Sequence, residues 1–123
     1  MTHFGIICPA STGHLNAMIP LGCELLSRGH QVTVFGFLDA QVRTVASGLE
    51  FQSFAEDERP LGSIAQNLTE MGKLSGLAAL RYNLKALPKT SAIVLREATT
   101  AIRKAGVEAL LVDQFLLEGG TVA

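Results

Sequence analysis

The feature that most constrains this chain is a short apolar run, Phe4-Gly5-Ile6-Ile7-Cys8, followed at once by the turn Pro9-Ala10-Ser11-Thr12-Gly13-His14. The run is too brief for a helix and reads as a strand buried on both faces. Beyond the turn, Leu15, Met18, Ile19, Gly22, Leu25 and Leu26 recur at helical spacing, and Arg28-Gly29 supplies a basic last turn and a C′ glycine. Thr12 and Asn16 are both candidate N-caps, and Pro20, which has no N–H, implies a loose first turn. Gln31-Val32-Thr33-Val34-Phe35 is a second strand. Strand, glycine-containing turn, helix and strand open a βαβ unit, and such units build parallel sheets with right-handed crossovers.

That turn carries none of the glycine-rich phosphate fingerprints. Gly5 and Gly13 stand too far apart for Gly-x-Gly-x-x-Gly, and no lysine follows Gly13 as a P-loop requires. A nucleophile elbow would need glycine where Pro9 stands. A nicotinamide-dependent oxidoreductase on this fold is therefore weakly supported, and no cofactor-binding residue emerges. What the turn does present is a histidine at the mouth of a helix.

The rest of the chain continues the alternation. A helix is expected from about Asp39 to Ala46, closed by Gly48. Leu49 to Phe54 alternates apolar and polar residues as a half-exposed edge strand does. Glu56-Asp57-Glu58 reads as a solvated loop rather than a metal site, because three adjacent carboxylates cannot be buried without partners. Leu61, Ile64, Leu68, Met71, Leu77, Leu80 and Leu84 recur at loosely helical spacing broken by Gly72 and Gly76, giving two short helices or one kinked one. These either cover a face of the sheet or line a pocket for an apolar ligand. Pro88 is expected to start a long helix that ends in Arg103-Lys104 before Gly106. Val107 to Val112 is a fourth strand, with Asp113 at its carboxyl end.

The 123 residues suffice for one compact domain. A net charge of −1 without a clustered basic face argues against nucleic acid. Two cysteines are too few for a disulfide framework, and no secretion signal precedes Phe4, so the expected setting is cytoplasmic. No apolar stretch is long enough to span a membrane, which leaves peripheral membrane contact open.

In the common doubly wound sheet the strand order is 3-2-1-4, so strands one and four are neighbours, and ligands bind in the crevice at their carboxyl ends. His14 follows strand one and Asp113 ends strand four. Topology thus places an imidazole and a carboxylate on one rim, a pair suited to removing a proton: the carboxylate holds one ring nitrogen and leaves the other free to accept. Each residue alone has an ordinary structural reading, His14 as a hydrogen-bonded or capping residue and Asp113 as a helix N-cap. Ser11 and Thr12 are read as turn or cap residues rather than nucleophiles, and His3 and His30 as structural or solvent-facing.

Pro9-Ala10-Ser11-Thr12-Gly13-His14-Leu15-Asn16, with Met18-Ile19-Pro20-Leu21 and Arg28-Gly29-His30-Gln31-Val32-Thr33-Val34, resembles the amino terminus of nucleotide-sugar-dependent glycosyltransferases of the GT-B fold. The likeness is greatest to bacterial enzymes that glucosylate carotenoids, macrolides and similar lipophilic hydroxyl compounds, and Leu110-Leu111-Val112-Asp113-Gln114 resembles their second landmark. Ala17 stands where that family usually has proline. The resemblance implies a Rossmann-like α/β domain, the first half of a GT-B fold, truncated after about four strands and spanning residues 1–123. It further implies His14 as general base, Asp113 as its orienting partner, and Ser11, Thr12 and Gly13 as acceptor contacts. The expected ligands are a lipophilic small-molecule acceptor and a nucleotide-sugar co-substrate, the latter held mainly by a missing C-terminal domain, with no metal. An inverting transferase is expected, with this chain inactive by itself. The alternative is a non-catalytic half-transferase that needs a separate donor-domain partner chain.

Overall fold

Ile6 and Ile7 are adjacent on an extended strand, so their side chains leave it in opposite directions, yet both are fully buried. A strand with this pattern must be covered on two sides. The computed structural model, which describes residues 1–123, shows how. Strand β1 (His3–Ile7) is followed by α1 (Thr12–Ser27), β2 (Gln31–Gly36), a 3₁₀ turn (Leu38–Ala40), α2 (Gln41–Ala46) and β3 (Glu50–Ser53). Then come α3 (Ser63–Gly72), α4 (Gly76–Ile93), a π-helical segment (Val94–Ala98), α5 (Thr99–Ala105), β4 (Ala109–Val112) and a short α6 (Gly119–Val122).

The four strands form one parallel sheet in the order β3-β2-β1-β4. Ile7 lies between Phe35 and Val112 in the ladder. On one face Ile7, Phe35, Phe37 and Phe54 pack with Ile93, Val94, Ala98 and Ala101 of the long helical segment and Val122 of α6. On the other, Ile6, Val32, Val34 and Leu49 pack with Met18, Ile19 and Cys23 of α1. The helix approaches so closely that a Cβ on Gly22 would lie 2.8 Å from Leu49 Cδ1 and 3.0 Å from Ile6 Cδ1. Gly22 is therefore a point of close contact between α1 and the sheet.

Arg28-Gly29 ends α1 as expected, in a Schellman motif: Gly29, at φ +87°, donates to the Leu26 carbonyl and His30 to that of Leu25. The start differs from expectation. Ser11 occupies the N-cap position in extended geometry, without a side-chain cap bond, so neither Thr12 nor Asn16 caps the helix. Asn16 instead accepts a hydrogen bond from Arg43 of α2. Pro20 falls well inside a regular helix rather than near its start. Tight packing of both flanking turns outweighs the one bond its ring removes.

Pro88 also lies inside a helix, α4, and does not begin one. The helical path continues through the π segment into α5, and Val94 and Ala98 of that segment both lie in the core. The expected helix from Asp39 begins as the 3₁₀ turn, and β3 and β4 are each two residues shorter than their apolar patterns. Strand β4 pairs with β1 alone, so its residues remain half-buried.

Candidate functional site: a histidine–aspartate pair over an apolar cavity

Both members of the pair stand at the carboxyl rim of the sheet. His14 lies in the first turn of α1, directly after β1, and Asp113 directly follows β4. The β1–β4 ladder extends one residue further, with Asp113 N–H donating to the Ile7 carbonyl at 3.0 Å. That bond anchors the aspartate's backbone. Its side chain is anchored separately: Oδ1 accepts from Phe115 N–H at 2.8 Å, and Oδ2 pairs with His14 Nδ1 at 2.8 Å. Two residues 99 positions apart in sequence thus meet because strand order sets them on one rim.

The pair is partly shielded, with the side chain of His14 30% exposed and that of Asp113 11%. Burial works to raise the Asp113 pKa. The Phe115 N–H, and then the hydrogen bond and charge of His14, outweigh it, so the carboxyl is held below its usual value. An ionised Asp113 accepts only, which assigns the proton to His14 Nδ1 and leaves the Nε2 lone pair free. Nε2 has no partner within the chain. The Phe115 ring sits 5.1 Å from the imidazole at a 46° tilt and flanks it.

Beside the pair opens an apolar cavity of about 290 Å³. Its floor is the carboxyl ends of β1 and β2, with Ile7, Cys8, Gly36 and Phe37; Phe54 closes one side. Its roof is α3, through Ile64, Asn67, Leu68 and Met71, and α4, through Tyr82, Asn83, Ala86, Leu87, Thr90 and Ser91. The fourth wall is Phe115 to Glu118. The apolar insertion therefore lines a pocket with one side of its helices. His14 and Ser11 both face this space, whereas Thr12 and Gly13 are exposed and outside its lining.

Cys8 lines the cavity too, but burial first and the Asp113 charge second push its thiol up to about 12. It is inert as a nucleophile. No group of three or more His, Cys, Asp or Glu side chains is placed to hold a metal ion. His3 and His30 are structural: His3 Nε2 lies 2.8 Å from Thr33 Oγ1, and His30 Nδ1 accepts from Thr2 N–H.

Several residues of the site carry no sequence signal. Asp39 accepts from the N–H groups of Gly62, Ile64 and Ala65, and so caps α3 from across the cavity rim. Ser91 donates to buried Glu118, and Tyr82 reaches Asn67 at 3.4 Å. Tyr82 is the chain's sole tyrosine, the one hint that composition offers.

No family profile matches the chain. The zeaxanthin glucosyltransferase of Pantoea ananas is 28% identical over 123 residues, and that of Pseudescherichia vulneris 27% over 127. Each match takes in the whole chain but only 28% of the relative's length. Among solved structures, SsfS6, a glycosyltransferase of Streptomyces sp. SF2575, superposes over the whole chain and 36% of its own length, with a TM-score of 0.74 at 18% identity. The fold is the Rossmann-like α/β sheet of the amino-terminal half of a GT-B fold, and in sequence the chain is similar to bacterial sugar-transferring enzymes that include carotenoid glucosyltransferases. The calicheamicin glycosyltransferase CalG4 has the same fold at this end, with a TM-score of 0.69 and 18% identity over 30% of its length. The four-strand order of this GT-B domain is what brings His14 to Asp113.

Proposed function

We propose that this chain forms the acceptor side of an inverting glycosyltransferase and carries its general base. The observation that supports the reading most directly is the His14 Nδ1–Asp113 Oδ2 bond at the rim of the apolar cavity. In this reading an acceptor seats its apolar body under α3 and α4 and directs a hydroxyl at His14 Nε2. The imidazole takes the hydroxyl proton as the oxygen attacks the anomeric carbon of a nucleotide-sugar from the face opposite the nucleoside diphosphate. The C–O bond to the diphosphate breaks, the configuration inverts, and Asp113 balances the imidazolium. In this reading Ser11, which lines the cavity at the start of α1, holds the acceptor oxygen, and Thr12 and Gly13 follow it as further acceptor contacts.

The donor falls to residues beyond these, since the chain spans under a third of the curated relatives it matches. A separate donor-domain chain is a second reading, favoured by the open edge of β4 and by exposed Phe115 and Leu117. Two unpaired cysteines accord with a cytoplasmic setting. In the complete enzyme, His14→Ala should lower turnover roughly 10²- to 10⁴-fold, the loss expected for a general base. Steady-state kinetics with nucleotide-sugar and a lipophilic alcohol tests this, and near-normal turnover would remove the base assignment. The anomeric configuration of the product, read by NMR, tests inversion independently.

A further inference from the structure

The side of α4 that faces away from the cavity is leucine-rich. Ala79, Tyr82, Ala86 and Thr90 turn inward and are half-buried. At 100° per residue the opposite stripe centres on Leu77 and Leu84, which are 75% and 59% exposed, with Leu80 beside them. A surface helix of a globular domain ordinarily places polar residues there. Contiguous exposed leucines at that position call for something to cover them.

Charge indicates what. Between Glu70 and Glu97 the chain has no acidic residue but five cations, Lys73, Arg81, Lys85, Lys89 and Arg96. Lys73 is paired with Glu70, and Arg96 with Glu58 and Glu97. Arg81, Lys85 and Lys89 have no ion pair, and the first two lie along one side of the leucine stripe. All eleven acidic residues of a chain whose net charge is −1 lie elsewhere, so this cationic excess is local. Arg59 ties the end of the Glu56-Asp57-Glu58 loop to Thr90 in the far half of α4, and Arg96 of the π segment beyond pairs with Glu58, so this loop is held away from the half that runs from Gly76 to Lys85. No helix is long and apolar enough to cross a membrane.

We propose that the outer face of α4 docks on an anionic lipid bilayer, with Leu77, Leu80 and Leu84 inserted at headgroup depth and Arg81 and Lys85 against lipid phosphates. Leucines supply the buried apolar area and cations the attraction to anionic lipid, the combination that holds an amphipathic helix in the interfacial plane. The inner side of the same helix lines the cavity, so a molecule dissolved in the bilayer would be one helix diameter from the site, about 10 Å. The advantage to a lipophilic acceptor rests on the function proposed above; the docking itself does not.

Sedimentation of the complete protein with phosphatidylcholine vesicles, with and without phosphatidylglycerol, tests the docking without any activity assay. The expected result is co-sedimentation with the anionic vesicles at low salt and release at high salt. Arg81→Glu and Lys85→Glu should each weaken partitioning by fivefold or more. Leu77→Glu combined with Leu84→Glu should abolish it while leaving the circular dichroism spectrum and transfer to a detergent-dispersed acceptor unchanged. Failure to bind anionic vesicles, equal binding to neutral ones, or full binding by the double leucine variant overturns the proposal. So does a variant that unfolds or precipitates, because the leucines are then covered by protein. Vesicle binding without sugar transfer would instead count against the enzymatic reading alone.

Discussion

The two sides of the cavity are held in different ways. The floor, with His14 and Asp113, stands on backbone: parallel ladders, a helix packed on the sheet at Gly22, and an N–H bond from Asp113 into β1. The roof hangs on side chains: Asp39 under α3, Arg59 to Thr90, Tyr82 to Asn67 and Ser91 to Glu118. Helix α3 buries no residue completely, whereas β2 is buried along most of its length. His14 and Asp113 are thus fixed by the backbone-bonded part of the fold, and the pocket's shape by a few polar tethers that substitution could alter without unfolding the domain.

If that division holds, floor substitutions should alter turnover or global stability, and roof substitutions acceptor affinity. The largest effect after loss of His14 itself is expected for Asp113→Asn, which keeps the shape but loses the charge opposing the imidazolium. Turnover should fall by about 10²-fold, the low end for impaired base catalysis, with acceptor KM little changed. An effect confined to KM would make Asp113 a binding residue. Gly22→Ala pushes a methyl into Leu49 and Ile6 and should cost about 1–3 kcal/mol in denaturant unfolding, the range for overpacking. A neutral outcome would mean the floor is softer than its contacts suggest.

Asp39→Ala removes the acceptor for three N–H groups at the start of α3 and should cost about 1–2 kcal/mol. Here acceptor KM should rise with kcat nearly constant. A fall in kcat of equal size would show that the roof also positions the base. The smallest effect is the pH dependence of stability. Because the folded-state pKa of Asp113 is lowered, its contribution is complete above the ordinary carboxylate value, about 3.9, and is lost as pH falls through the lower folded value. The stability gap between wild type and Asp113→Asn should therefore persist until the carboxylate is protonated and close only in strong acid. A gap that closed near neutrality would contradict an ionised Asp113.

The alternation of short apolar runs with helical repeats was enough to read four parallel strands and their order, because strand period, glycine stops and crossover handedness are local or nearly universal rules. His14 and Asp113 were legible for the same reason: each sits directly after a strand, and strand order converts that position into proximity. Pro20 and Pro88 misled because a missing N–H is a local penalty of a few kcal/mol, which the remaining bonds of a long helix can exceed. Asp39, Ser91 and Glu118 left no mark, since their partners lie 23 to 27 residues away and depend on how α3 and α4 are hung. So also for the leucines of the insertion: their spacing announced a helix, but which leucines line the cavity and which face outward depends on the rotation of α4 about its axis. The sequence by itself determined the sheet, its rim and the pair upon it. Only the tertiary structure decided the roof, because helices held by a few long-range tethers have an orientation that no local rule specifies.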